Sequence, residues 1–125
     1  MDAPSSSSSS SPLLVACLCA QWCGTCRDYE ATFDAALATL GADGRGVWID
    51  IEDEAALVDS VDVEDFPTLL IARDGKLLFF GPITPQPPTL ARLLSRALAG
   101  ELPPPPPLPD VAALVQRLAG ATTAR

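Results

Sequence analysis

Leu13-Leu14-Val15-Ala16-Cys17-Leu18-Cys19-Ala20 is an unbroken run of eight apolar residues. A run this short, without helical alternation, predicts a central strand covered on both faces. From Cys26 the apolar positions recur as Tyr29, Phe33, Ala36, Leu37 and Leu40, with Asp28, Glu30 and Asp34 on other faces. That spacing predicts an amphipathic helix, which Gly41 ends. Val47-Trp48-Ile49-Asp50-Ile51-Glu52 then alternates as a strand does, after a turn at Asp43-Gly44, and Ala55 to Val61 carries a weaker helical pattern. Phe66 to Ala72 and Lys76 to Gly81 read as two strands joined through Arg73-Asp74-Gly75, where Asp-Gly favours a hairpin turn. Leu90, Leu93, Leu94, Ala97 and Leu98 mark a further helix, entered through Pro85, Pro87 and Pro88 and closed at Gly100. The predicted order is strand–helix–strand–helix–strand–strand–helix, an α/β domain over residues 13–100.

The two ends differ in kind. Residues 1–12 form a Ser/Pro leader with nothing to bury, so disorder is expected there. Residues 101–109 hold the Pro103 to Pro107 run, a stiff polyproline II spacer whose other reading is a ligand for proline-binding modules. In residues 110–125, Asp110 is placed to cap a short helix with Val111, Leu114, Val115 and Leu118 on one face, ended by Gly120. A helix this short is not stable alone in water, so its stripe needs a surface. The expected surface is a sheet face, with burial of Leu114 and Leu118.

The chain has 125 residues, of which about 85 to 90 belong to the patterned region, enough for one modest core. A formal net charge of −8 argues against nucleic acid or an anionic membrane as partner. No apolar stretch approaches the roughly 18 residues of a membrane-spanning helix. Leu14-Val15-Ala16-Cys17 resembles a lipoprotein cleavage box, the alternative being export or anchoring through Cys17. However, Asp2 and seven serines stand where a basic region belongs, and a cytoplasmic location is the expectation. Nine of the sixteen carboxylates fall between Asp43 and Asp65, which reads as a solvated face because the spacing of a calcium loop is missing. The sequence has no histidine, which removes the usual catalytic base.

The chemistry concentrates in Trp22-Cys23-Gly24-Thr25-Cys26, where the first strand gives way to the first helix. Two residues between cysteines place both sulfurs in one helical turn. Unpaired N–H groups and the positive end of the helix dipole there favour thiolate over thiol. A thiolate attacks disulfides, and a second cysteine one turn on resolves the mixed disulfide that forms. Gly24 permits close approach of another chain, and Trp22 offers a flat apolar surface.

With this motif, the Phe66-Pro67-Thr68 segment, Asp74-Gly75 followed by Gly81, and the element order, the chain resembles the thioredoxins over about residues 13–99. The resemblance implies a thioredoxin-like fold with a four-stranded mixed sheet flanked by helices. It implies a cofactor-free thiol–disulfide oxidoreductase in cell redox homeostasis, with Cys23 as nucleophile and Cys26 as resolving cysteine. Trp22, Gly24, Thr25, Phe66, Pro67 and Thr68 would line the groove for disulfide-containing protein substrates, Pro67 as a cis residue, and a thioredoxin reductase is the implied electron donor. The departures matter as much. The family's first strand and helix have no counterpart before Leu13, which would leave the Val47 strand at a sheet edge, with Asp50 and Glu52 guarding it. The family's buried aspartate aligns with Cys17 and its neighbouring lysine with Trp48.

Cys17 and Cys19 lie two apart on a strand and so share a face. They make a poor disulfide with each other, and inert core packing is the expectation for both. The competing reading is a metal site of four thiolates, which lacks the knuckle spacing of ordinary zinc sites. The alternative to catalysis is an interaction module that holds a partner through Trp22, Pro67 and the C-terminal helix.

Overall fold

A computed structural model describes residues 12–20, 24–51 and 67–119. Its elements run β1 (Leu13–Cys19), α1 (Gly24–Leu40), a single 3-10 turn (Gly41–Asp43), β2 (Gly44–Asp50), β3 (Thr68–Arg73), β4 (Lys76–Pro82), α2 (Pro87–Leu98) and α3 (Pro109–Ala119). The strands form one mixed sheet in the order β2-β1-β3-β4, with β1 parallel to β2 and antiparallel to β3, and β3 antiparallel to β4. All seven residues of β1 are buried, as a strand covered on both faces requires. β2 is an edge strand of this sheet. The Ser-rich leader through residue 11, the weak helix over Ala55 to Val61, and Glu52 lie outside the described residues.

Each face of the sheet carries its own core. Leu13, Val15, Cys17 and Cys19 of β1 project to one side with Leu69 and Ile71, and α1 covers them with Cys26, Tyr29, Phe33 and Leu37 while α2 adds Leu90, Leu94 and Ala97. Leu14, Ala16, Leu18, Val47, Ile49, Leu70 and Ala72 project to the other side, where α3 supplies Val111, Leu114, Val115 and Leu118. The C-terminal stripe therefore does find a sheet face. Side-chain hydrogen bonds tie the C-terminal half of α3 to the sheet. The Arg45 guanidinium of β2 donates to the Leu118 carbonyl at 3.0 Å, and the Gln116 side-chain amide donates to the Gly75 carbonyl at 3.3 Å. A cation on the last carbonyls of a helix also suits its negative end.

The turns follow the sequence closely. Gly41 takes a φ of +56° at the end of α1, and Asp74 and Gly75 take +56° and +74°, the pair of positive values that a two-residue hairpin turn matched to strand twist demands. Two strand starts differ from expectation. β2 begins at Gly44 rather than Val47, and β3 begins at Thr68 rather than Phe66. The reason for the first is packing: a Cβ at Gly46 would stand 2.9 Å from Leu37 Cγ and 3.3 Å from Phe33 Cε2, so the strand passes under α1 only as glycine. An alternation of side chains cannot be read where there are none. In the second, Pro67 has no N–H to give a ladder and stays outside it, its carbonyl accepting from the Ile83 N–H at 3.1 Å.

Candidate active site

The candidate site forms where β1 ends and α1 begins. Cys26 is the third residue of α1 and only 1% exposed, because the helix turns that face onto the sheet. Cys19, also 1% exposed, is the last residue of β1. Their sulfurs are joined in a disulfide of 2.05 Å across seven positions of chain, with the two Cα atoms 5.8 Å apart, inside the usual range for such a bond. The backbone N–H of Ala20 donates to the Cys26 sulfur at 3.4 Å.

This pairing corrects the expectation that Cys19 is inert core. Weighing Cys17 against Cys19 on one strand rightly excludes a bond between them, but it leaves out the helix laid over the same face. The signal was present: residues two apart share a face, α1 must pack on it, and the strand's last residue is the one nearest the helix start. Cys17 is a buried free thiol, as expected of a core cysteine. Burial, and secondarily the Glu30 carboxylate, pushes its ionisation far above the ordinary range. While Cys19 and Cys26 are bonded to each other, neither offers a thiolate to a metal ion. Among the described residues no group of three or more His, Cys, Asp or Glu is placed to hold a metal ion.

The other predicted site residues separate. Gly24 and Thr25 are exposed on the first turn of α1, open to an incoming chain. Pro67 is buried, and Thr68 is 3% exposed, paired with Leu18 on one side and Pro82 on the other, so its side chain belongs to the sheet interior. Trp22, Cys23 and Phe66 lie outside the described residues, and with them the Phe66–Pro67 bond and its expected cis form.

The two positions where the resemblance puts an aspartate and a lysine are neighbours: Cys17 pairs with Trp48 in the β1–β2 register. The Trp48 ring packs edge-on against Phe33 at 5.6 Å, filling the space with apolar surface. One step along, Cys19 pairs with Asp50. Trp48 packs in the core on the cysteine side while Val47 and Ile49 pack on the other, so strand alternation puts Asp50 on the cysteine side too. Tyr29 lies nearby, 2% exposed, its hydroxyl without a hydrogen-bond partner among the described residues.

A four-stranded mixed sheet with helices on both faces and a Cys-X-X-Cys segment where β1 gives way to α1 defines a thioredoxin-like fold. Residues 5–83 match the thioredoxin family, more than half of the chain, and the chain belongs to that family. Among solved structures, thioredoxin from Trypanosoma brucei brucei is 27% identical with a TM-score of 0.61, over 73% of this chain and 79% of that one. The germline-specific thioredoxin Deadhead of Drosophila melanogaster is 21% identical with a TM-score of 0.58, over 72% of this chain and 81% of that one. Mitochondrial thioredoxin 3 of Saccharomyces cerevisiae is 23% identical with a TM-score of 0.56, over 70% and 77%. No curated protein matches the sequence.

Proposed function

We propose that the protein is a cytoplasmic protein disulfide reductase in which Cys23 attacks a substrate disulfide and Cys26 resolves the mixed disulfide, with a thioredoxin reductase or a comparable dithiol returning the electrons. The observation that carries the reading is that Cys26, one member of the Cys-X-X-Cys motif, is already a disulfide-forming sulfur at the start of α1. Family membership supports the same chemistry. Gly24 and Thr25 lie on the exposed first turn of α1, and the family resemblance assigns Trp22, Phe66, Pro67 and Thr68 to the same substrate groove.

Resolution requires Cys26 to lose its proton. Cys17 is no acceptor, since burial holds it as a thiol. Asp50, set beside Cys19 in register on the cysteine side, takes that role. The Ala20 N–H, aimed at the Cys26 sulfur, favours its thiolate.

The test is reduction of a protein disulfide with dithiothreitol as electron source. Cys23→Ser abolishes turnover, and Cys26→Ser traps a substrate adduct on Cys23. Full turnover by Cys23→Ser sinks the reading, and capture of a partner that survives both substitutions favours a holding module instead.

A further inference from the structure

The motif accounts for Cys23 and Cys26 but not for Cys19, which is the residue actually bonded to Cys26. We propose that Cys19 is a third exchange cysteine, which takes Cys26 from Cys23 and stores the oxidised state as a buried Cys19–Cys26 disulfide while returning Cys23 to the thiol form. The inference rests on the reading of Cys23 and Cys26 as the exchanging pair.

The chemistry balances without an added oxidant. After a substrate has been reduced, the motif disulfide joins Cys23 to Cys26. Cys19 gives up its proton and attacks the Cys26 sulfur; the Cys19–Cys26 bond forms and the Cys23–Cys26 bond breaks. The Cys23 sulfur leaves as a thiolate and takes up one proton. One disulfide and one thiol enter the step, and one disulfide and one thiol leave it.

Three features of the structure favour this exchange. The Cα separation of 5.8 Å is one that a disulfide spans with β1 and α1 in their packed positions. The Ala20 N–H, donating to the Cys26 sulfur at 3.4 Å, holds the sulfur under attack beside the end of β1 where Cys19 stands. Both cysteines are 1% exposed, so an outside thiol has no direct access to the stored bond. Reopening it falls to Cys23, three residues before Cys26 in the chain. A chain in this state attacks a second disulfide through Cys23 but has no resolving thiol, so turnover pauses with the substrate held. Cys19 thus divides the protein's behaviour between a reductase in reducing surroundings and a covalent trap in oxidising ones.

The test uses the full chain, oxidised with hydroxyethyl disulfide, quenched in acid, alkylated with N-ethylmaleimide and cut with chymotrypsin, which cleaves after Leu18, Trp22 and Tyr29. The proposal expects the Cys19-to-Trp22 and Cys23-to-Tyr29 fragments to remain joined, with the label on Cys23. A labelled Cys19 beside an internally closed Cys23-to-Tyr29 fragment overturns it, as does a label on Cys26. Cys19→Ala, or Cys19→Ser where the alanine variant does not fold, must close Cys23 onto Cys26, so that the oxidised protein loses the Cys23 label. Retention of that label in a folded variant also overturns the proposal. Turnover that depends on Cys23 while Cys19 is recovered labelled defeats this inference alone; turnover that survives Cys23→Ser defeats the functional reading, whatever the map shows.

Discussion

Leu114→Ala tests the claim that α3 is a structural layer of the domain. Leu114 is fully buried in the cluster that α3 shares with Leu14, Leu18, Ile49 and Leu70, and Leu118, one turn later, is fully buried too. Truncating a fully buried leucine removes its transfer energy and leaves a cavity, together about 2–5 kcal/mol. Against a total stability of about 5–15 kcal/mol that is a large share. Even ~2 kcal/mol lowers the melting midpoint of a domain near this size by roughly 8–16 °C. The measurement is thermal and urea unfolding followed by far-ultraviolet circular dichroism, with the exposed Ala113→Ser as control, which should stay within about 0.5 kcal/mol of the parent. α3 lies on the sheet face away from Cys19 and Cys26, so turnover well below the midpoint should be unchanged. A Leu114→Ala midpoint equal to that of the control would refute the packing argument, because a leucine on an undocked helix has no cavity to leave.

Two further predictions concern titration. Cys17 is a thiol whose folded-state ionisation is raised by burial above its ordinary 9.0, so its contribution to stability is complete below about pH 9 and is lost as pH rises, when the unfolded chain ionises and the folded one does not. At about pH 10 this costs ~1.4 kcal/mol, which Cys17→Ala should remove from the pH dependence of urea unfolding; equal slopes in the two proteins would contradict it. Tyr29, raised by burial from 10.0 and secondarily by Cys17, should leave a second loss beginning about one pH unit higher. Asp50→Asn should slow release of substrate from the mixed disulfide by about tenfold or more near neutral pH, and make that rate climb through the thiol range near about 8.5. An unchanged rate and profile would remove Asp50 from the proton path.

Most of the fold was legible because its signals are local. The apolar run at Leu13 to Ala20, the helical spacing from Cys26 to Leu40, and Asp74-Gly75 each specify an element through a few neighbouring residues. The strand starting at Gly44 escaped because glycines there are demanded by a helix distant in sequence, and a requirement for empty space leaves no alternation to read. The place of α3 was legible from an argument about absence, since a sheet face without its usual helix needs a cover and the chain carries an apolar stripe on a long enough spacer.

The cysteines show where such reading stops. Cys-X-X-Cys spacing proposes a bond within one helical turn, and strand periodicity proposes that Cys17 and Cys19 share a face; each rule works inside one element. The observed bond joins two elements, and it follows only when β1, α1 and their packing are combined. The same combination supplies a candidate for proton handling that single positions do not. Alignment of single positions finds a thiol and an indole where a carboxylate and an amine are expected, and suggests that the function was lost. Register finds Trp48 beside Cys17 but Asp50 beside Cys19, so the carboxylate missing from one level of the sheet reappears at the next, which is the level of the sulfur joined to Cys26. A third cysteine and a carboxylate therefore sit together at the end of β1, where exchange at Cys26 needs a sulfur to accept and a base to receive the proton.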